Sequence, residues 1–358
     1  MKSNGQLDFS NPESVKQLTK SLLEKDFGLK IELPDDRLCP PAGTPPRLSK
    51  VVFSNYPKVP NRLNYLLWIQ YILDTTSDSY SDVFDPKRPV IGLDIGTGAS
   101  CIYPLLGCSQ RLEWRFAGTG MSSPLLWRLA LILITDIDDK SLQFARQNVQ
   151  INGLQNRIKL HRSKHGGPLL PLDDLGFEKY DYKPVLNSSL NISSIDFSMC
   201  NPPFYESKAD MLTSAALKQR RPFTACTGSE TEMVTPGGEV AFVSHMIEES
   251  IILQGRVQWY TSMLGKFSSL GTVVKILKDK GVGNYAVTEF VQGSKTRRWG
   301  VAWSFEDLRP GVDVARGVSS LPKALLPFPS QYVIMVRASL SPPLNPLTRR
   351  SSARYPTS

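Results

Sequence analysis

The sequence predicts an α/β domain with a mainly parallel central sheet and helices on both faces. Three observations carry that expectation. Short apolar runs alternate along the chain with amphipathic stretches of helical period. Two of those runs end abruptly in loop motifs, Asp94-Ile95-Gly96-Thr97-Gly98 and Asn201-Pro202-Pro203-Phe204. At 358 residues, 41% hydrophobic and 21% charged, the chain has an ordinary globular composition and can bury a large core.

Taken in order, Asn11-Pro12-Glu13 opens a helix with Val15, Leu18, Leu22 and Leu23 on one face and Gly28 as its stop. Residues 38–60 are Pro-rich and read as loop, and residues 62–74 as a second amphipathic helix. A strand at 89–94 follows, then a helix at 139–152 closed by Gly153 and a strand at 157–161. Residues 163–194 read as loop, 195–200 as a buried strand, and 205–236 as a polar segment rich in Lys, Arg, Thr and Gly. A helix at 238–254 precedes strands at 257–263, 285–291, 299–305 and 332–336, with a helix at 271–280 after the first of them. From Ser341 the tail is Ser, Pro and Arg, a composition expected to be disordered.

The formal net charge of +9 leans toward a polyanionic partner. Cys39, Cys101, Cys108, Cys200 and Cys226 form no C-x-x-C pair, as expected in a reducing compartment. His161, His165 and His245 lack ligand spacing with those thiols, so no metal is expected. The polar N-terminus does not read as a signal peptide. The longest apolar stretch, residues 125–135, is interrupted by Arg128 and is too short to span a bilayer, so no membrane partner is expected.

The first motif follows a strand and opens a helix. Gly96 and Gly98 let the backbone turn tightly against a nucleoside cofactor, Asp94 precedes them, and no P-loop Lys follows. Such folds hold the ribose hydroxyls with a second acid about 20 residues on. The candidate, Asp136, lies 38 residues after Gly98, which implies that something extra sits between.

The second motif is sharper. An exocyclic amino group is a poor nucleophile because its lone pair is delocalised into the ring. The Asn201 side-chain carbonyl and the Pro202 backbone carbonyl can accept its two hydrogens, which favours a tetrahedral nitrogen. Pro202 and Pro203 stiffen the turn, and Phe204 offers a ring for a flipped base. Glutamine amides and DNA adenines suit the same chemistry, so the motif specifies the reaction better than the substrate.

On six segments the sequence resembles the methyltransferase-like 16 family of U6 snRNA adenine-N6 methyltransferases, and more distantly a bacterial 23S rRNA adenine-N6 methyltransferase. The segments are NPESVKQLTKSLLEKDFGL at 11–29, VPNRLNYLLW at 59–68, GLDIGTGASCIYPLLG at 92–107, MCNPPF at 199–204, WYTSMLGK at 259–266 and TEFVQGSKTRRWGVAWSF at 288–305. The resemblance implies a Rossmann-like class I fold using S-adenosyl-L-methionine. It implies donor contacts from Arg62, Gly96, Ser100, Asp136 and Asn201, and catalysis by Asn201, Pro202, Pro203 and Phe204. Arg220, Arg221, Lys266, Lys295, Arg297 and Arg298 would line a groove for structured RNA. U6 snRNA is the expected substrate and the nucleus the expected location. The alternatives are rRNA, a cytoplasmic location, or a catalytically impaired RNA-binding homologue.

The chain departs from that family in three places. Asp136 stands where Glu is more usual, which keeps the carboxylate. Residues 120–135 (GMSSPLLWRLALILIT) interrupt a run that relatives carry unbroken from Phe116-Ala117-Gly118-Thr119 into Asp136; removing them restores about the usual spacing to Gly98. They read as an insertion, with codons at both ends that can encode splice signals. The competing expectation is that residues 128–135 supply the second strand. Residues 42–58 form a second extra stretch. The expected division is a helical segment with its Pro-rich loop at 1–80, a methyltransferase domain at 81–337 and a tail at 338–358.

Overall fold

Among the described residues, eight strands form one sheet: β1 (Val90–Ile95), β2 (Trp114–Phe116), β3 (Leu133–Asp136), β4 (Lys159–Arg162), β5 (Ile195–Cys200), β6 (Val257–Leu264), β7 (Asn284–Gln292) and β8 (Thr296–Ser304). The computed structural model describes residues 8, 11–37, 61–77, 84–111, 113–116, 133–174, 195–216, 230–292 and 296–329. Arg220, Arg221, Lys295, residues 42–58, the strand expected at 332–336 and the tail lie outside them. The strand order is β4-β3-β1-β5-β6-β8-β7, with β2 also on β1. The pairs β4–β3, β3–β1, β1–β5 and β5–β6 are parallel, and β8 is antiparallel to both β6 and β7. Crossover helices therefore cover both faces, as the alternation of elements predicted.

Helices α1 (Pro12–Phe27), α2 (Asn61–Thr75), α3 (Ile102–Gln110) and α4 (Asp139–Ile151) precede α5 (Lys208–Ala216), α6 (Glu230–Met233), α7 (Gly238–Leu253), α8 (Phe267–Asp279) and α9 (Val312–Arg316). One apolar cluster joins α1 to α4 with Phe197, Met199, Trp259 and Met263 of the sheet. A second joins α7 and α8 to Val257, Tyr260, Val287, Val301 and Trp303. The alternation of Trp259 with Tyr260 and of Val301 with Ala302 between these clusters is the two-residue period of a strand buried on both faces.

Helix ends follow their caps. The Asn11 side chain accepts from Glu13 N and Ser14 N, worth about 1 kcal/mol, and Gly28 closes the helix at φ 65. Several elements differ from expectation: β8 begins three residues early, at Thr296, and α9 was not foreseen. The polar segment 205–236 contains α5 and α6. Helix α8 begins at Phe267 instead of residue 271, because Gly271 is absorbed inside the helix and does not open it. Among the described residues no helix is long and apolar enough to cross a membrane, and no group of His, Cys, Asp and Glu is arranged to hold a metal.

The extra stretch lies between two consecutive positions of the sheet. Val90, Ile91 and Gly92 pair with Trp114, Arg115 and Phe116, and Leu93, Asp94 and Ile95 then pair with Leu133, Ile134 and Thr135. Beta2 and β3 are therefore one strand line split between residues 116 and 133. The expected insertion boundaries, 120–135, shift accordingly. Residues 133–135 belong to the strand ending at Asp136, as the competing expectation held for the end of the stretch.

Helix α2 lies against β6, β7 and α9, with Tyr65, Ile69 and Ile72 fully buried. Its Trp68 fits over Gly300 of β8, where an added Cβ would stand 2.9 Å from Trp68 Cζ3 and Thr288 Cγ2 and 3.0 Å from Phe290 Cε2. Gly300→Ala is expected to overpack this contact and destabilise the protein by about 1–3 kcal/mol, measured by denaturant unfolding.

Candidate active site

The parallel pairing of β1 with β5 sets Asp94 opposite Met199 and Ile95 opposite Cys200, so both motif loops leave the sheet at the same edge. Ligands in open α/β sheets bind outside the carboxyl ends of strands. A cavity of about 530 Å³ lies there, lined by Arg62, Gly96, Asp136, Asn201, Pro202 and Glu232 among others.

On the donor side, Gly96 and Gly98 adopt φ 70 and 65, which a side chain would strain. Gly98 N donates to Asp136 Oδ2 at 3.0 Å, and Asp138 N donates to Asp136 Oδ1 at 2.9 Å. The acid that is 38 residues distant thus reaches the glycine turn, and the split strand line explains how. Burial pushes the Asp136 carboxyl up, while those two N–H bonds act against the shift. Asp94 is 1% exposed, and its Oδ2 has no hydrogen-bond partner. Burial first, and then the nearby Asp136, push its carboxyl up to about 7. Arg62 Nη1 donates to the Tyr103 hydroxyl at 2.7 Å, with its guanidinium over that ring. Ser100 is buried in the same loop.

On the transfer side, the turn is held at both ends. The fully buried Tyr65 hydroxyl lies 2.7 Å from Thr261 Oγ1 and 3.4 Å from both N and O of Cys200, just before Asn201. Beyond the turn, Tyr205 N donates to Met233 O at 3.0 Å and Thr235 N donates to Tyr205 O at 2.9 Å. Pro202 is buried, and the Asn201 Oδ1 atom is buried without a hydrogen-bond partner. A rigid turn thus presents an unused acceptor at the cavity wall. Together with the glycine cradle, this acceptor suits a ligand that brings N–H groups.

The basic residues separate. Arg298 is half-buried with its guanidinium 5.1 Å from the Phe204 ring centroid, and the Lys266 Nζ lies 3.9 Å from Asp210. Arg297, the preceding residue in β8, projects to the opposite face of the sheet and pairs with Glu289 at 3.3 Å. Arg220, Arg221 and Lys295 fall outside the described residues. Several contributors went unread in the sequence. Besides Tyr65, Tyr103 and Glu232, Asn148 Nδ2 donates to Ala99 O at 3.0 Å and to Glu32 O at 2.9 Å, tying residues 30–32 to the glycine loop. Arg37 similarly holds Asp138 from the N-terminal segment at 2.9 Å. The only local hint for Asn148 and Asn152 was a pair of amides four apart on α4.

A mostly parallel, doubly wound sheet with a glycine turn after β1 and an Asn-Pro-Pro-Phe turn after its neighbour β5 defines a Rossmann-like methyltransferase domain. A family model described as RNA methyltransferase, Methyltransf_10, matches residues 1–307, and the chain belongs to that family. It is 37% identical over 317 residues to the U6 small nuclear RNA (adenine-(43)-N(6))-methyltransferase of Schizosaccharomyces pombe, covering 88% of this chain and 67% of the relative. It is 36% identical over 306 residues to the RNA N(6)-adenosine-methyltransferase METTL16 of Homo sapiens, covering 84% of this chain and 44% of that protein. The chain thus spans about two thirds of the first relative and less than half of the second. Among solved structures, the human METTL16 catalytic domain with a MAT2A 3′UTR hairpin matches with a TM-score of 0.61 and 34% identity, covering 85% of each chain. The human METTL16 N-terminal domain in complex with SAH matches with a TM-score of 0.55 and 33% identity, covering 85% of this chain and 87% of that one.

Asp94 makes stability pH-dependent. Its folded-state pKa near 7 lies above the ordinary 3.8, so the native protein holds this proton more tightly than the unfolded chain. The stability contributed by the protonated form is complete below about pH 4 and is lost as pH rises toward 7. Asp94→Asn is expected to gain Tm relative to the parent between those values and to level off above pH 7. Thermal melts at half-unit pH steps check this, and parallel curves for the two proteins would refute it.

Proposed function

We propose that the chain is an S-adenosyl-L-methionine-dependent RNA methyltransferase that forms N6-methyladenosine in a structured RNA, with U6 snRNA as the substrate and hence a nuclear site of action. The observation that carries this is the buried, partnerless Oδ1 of Asn201, a residue that follows β5 and lines the same cavity as the Gly96–Gly98 turn. The names of the relatives support adenosine in RNA over a glutamine amide or DNA.

Bound at the glycine turn, S-adenosyl-L-methionine supplies an electrophilic methyl group on a cationic sulfur. Gly96, Gly98 and Ser100 give it backbone room, and Asp136 is placed for ribose hydroxyls. Arg62 lines the same pocket, with Asp94 buried behind the glycine turn. Asn201 Oδ1 and the Pro202 carbonyl accept the two amino hydrogens of the target adenine, drawing its nitrogen toward the tetrahedral form. Phe204 takes the flipped base by stacking, worth about 1–3 kcal/mol per base on an aromatic platform. The intact bond from Gly98 N to Asp136, despite the interrupted strand line, favours an active donor site over an impaired homologue.

Asn201→Ala is expected to lower kcat by about 10²–10³-fold, by analogy with the loss of one preorganised polar contact to a developing charge. RNA affinity should change little. Nucleoside analysis of a U6-like hairpin after single turnover tests this, and retained turnover would remove Asn201 from the mechanism. Phosphate contacts predict steep salt dependence. Lys266→Ala should flatten the plot of log K against log salt by about 0.7–0.9 if Lys266 neutralises one phosphate, which filter binding from low to moderate salt can measure.

A further inference from the structure

Phe204 is the only member of its motif whose ring could swing away, and the structure surrounds it closely. An added Cβ at Gly265 would meet Phe204 Cδ1 at 2.7 Å, and Phe204 Cε1 and Glu239 Oε2 each at 3.1 Å. Gly265 follows β6 and has no unusual backbone angle, so the demand for glycine is one of space alone. The turn that carries Gly265 is fixed from α7. Glu239, 2% exposed, accepts from Gly265 N at 2.6 Å and from Lys266 N at 3.0 Å, one backbone donor on each carboxylate oxygen. The start of α7 is in turn seated against the motif. Gly238 has φ 64, and a Cβ there would stand 2.9 Å from Glu206 Cγ. Across the ring lies the Arg298 guanidinium, 5.1 Å from its centroid.

We infer that Glu239 and Gly265 are positioning residues for base stacking: the buried carboxylate holds the Gly265–Lys266 turn against the edge of the Phe204 ring, and with Arg298 on its face the ring is set before RNA arrives. This rests on the proposed methyl transfer to a flipped adenosine. The turn's backbone is tied by two charge-assisted bonds, so a methyl at residue 265 is accommodated by moving the ring. A reacting group misplaced by about 1 Å can cost about a hundredfold in rate.

The test is a double-mutant cycle combined with a direct view of the ring. Gly265→Ala should reduce kcat/KM for an adenosine-containing hairpin by at least about tenfold, with donor affinity and Tm close to the parent. In a Phe204→Ala background the same change should cost much less, since its closest contact is with the ring. Glu239→Gln places an amide N–H₂ against a backbone donor and should reproduce the loss, also only when Phe204 is present. Independently of activity, 4-fluorophenylalanine at position 204 should show a displaced ¹⁹F resonance in the Gly265→Ala protein. An unmoved resonance, or a Gly265→Ala loss that persists undiminished without Phe204, overturns the inference. A displaced resonance in a protein whose parent methylates no RNA sustains the positioning and overturns the proposed substrate instead.

Discussion

Both halves of the site depend on the parallel register of β1 and β5. Because Asp94 pairs with Met199 and Ile95 with Cys200, the two strands end level, and the loops that follow face each other across one cavity. A slip of one residue would turn Asp94 and the Asn201 turn to the wrong face. The register is secured by burial: Leu93, Phe197 and Met199 are inaccessible to solvent, with helices covering the sheet on either side. Asp196 reinforces it where β5 begins, accepting from Ile91 N at 2.7 Å with Arg88 beside it.

The same logic holds on the donor side. Residues 116 and 133 fill successive places along β1, so β3 continues the strand line of β2 in register. Asp136 then ends the strand line where the fold needs an acid, within hydrogen-bonding distance of Gly98 N. The entropy of closing a longer connection grows only as the logarithm of its length, so it is a small cost beside the paired strand it preserves. The N-terminal segment adds a second support, through Arg37 on Asp138 and the Glu32 carbonyl, which accepts from Asn148.

Much of the frame was legible because it is written locally. The cap at Asn11 and the apolar run before Asn201 fixed α1 and β5 to within a residue, and the glycine and proline turns announced the two loops. Local pattern failed where the partners are far apart in sequence. Tyr65 meets Cys200 and Thr261 across 135 and 196 residues, and Glu239 meets Gly265 across 26. A buried polar pair of this kind leaves no period. Glu239 reads as an ordinary acid in the first turn of a helix, where it also suits the helix dipole. The segment 205–236 reads as loop on composition, yet Tyr205 is bridged to Val234 and α5 and α6 form around that bridge.

The electrostatics of the cavity join these pieces. Burial pushes the Arg298 pKa down, and the nearby Arg62 adds to the effect. Among the described residues neither guanidinium has a carboxylate within ion-pair distance. Each rests on an aromatic ring instead, Arg62 on Tyr103 and Arg298 on Phe204, which supplies part of the lost solvation. Glu239 offsets part of the repulsion at Arg298, and an anionic ligand would relieve more of it. On the proposed function, the cation at Phe204 serves twice. It offers a phosphate partner near the flipped nucleotide, and it holds the ring on which that nucleotide stacks. Binding of the RNA backbone and placement of the base are then coupled through one side chain, so a contact that adds affinity also sets the geometry of transfer.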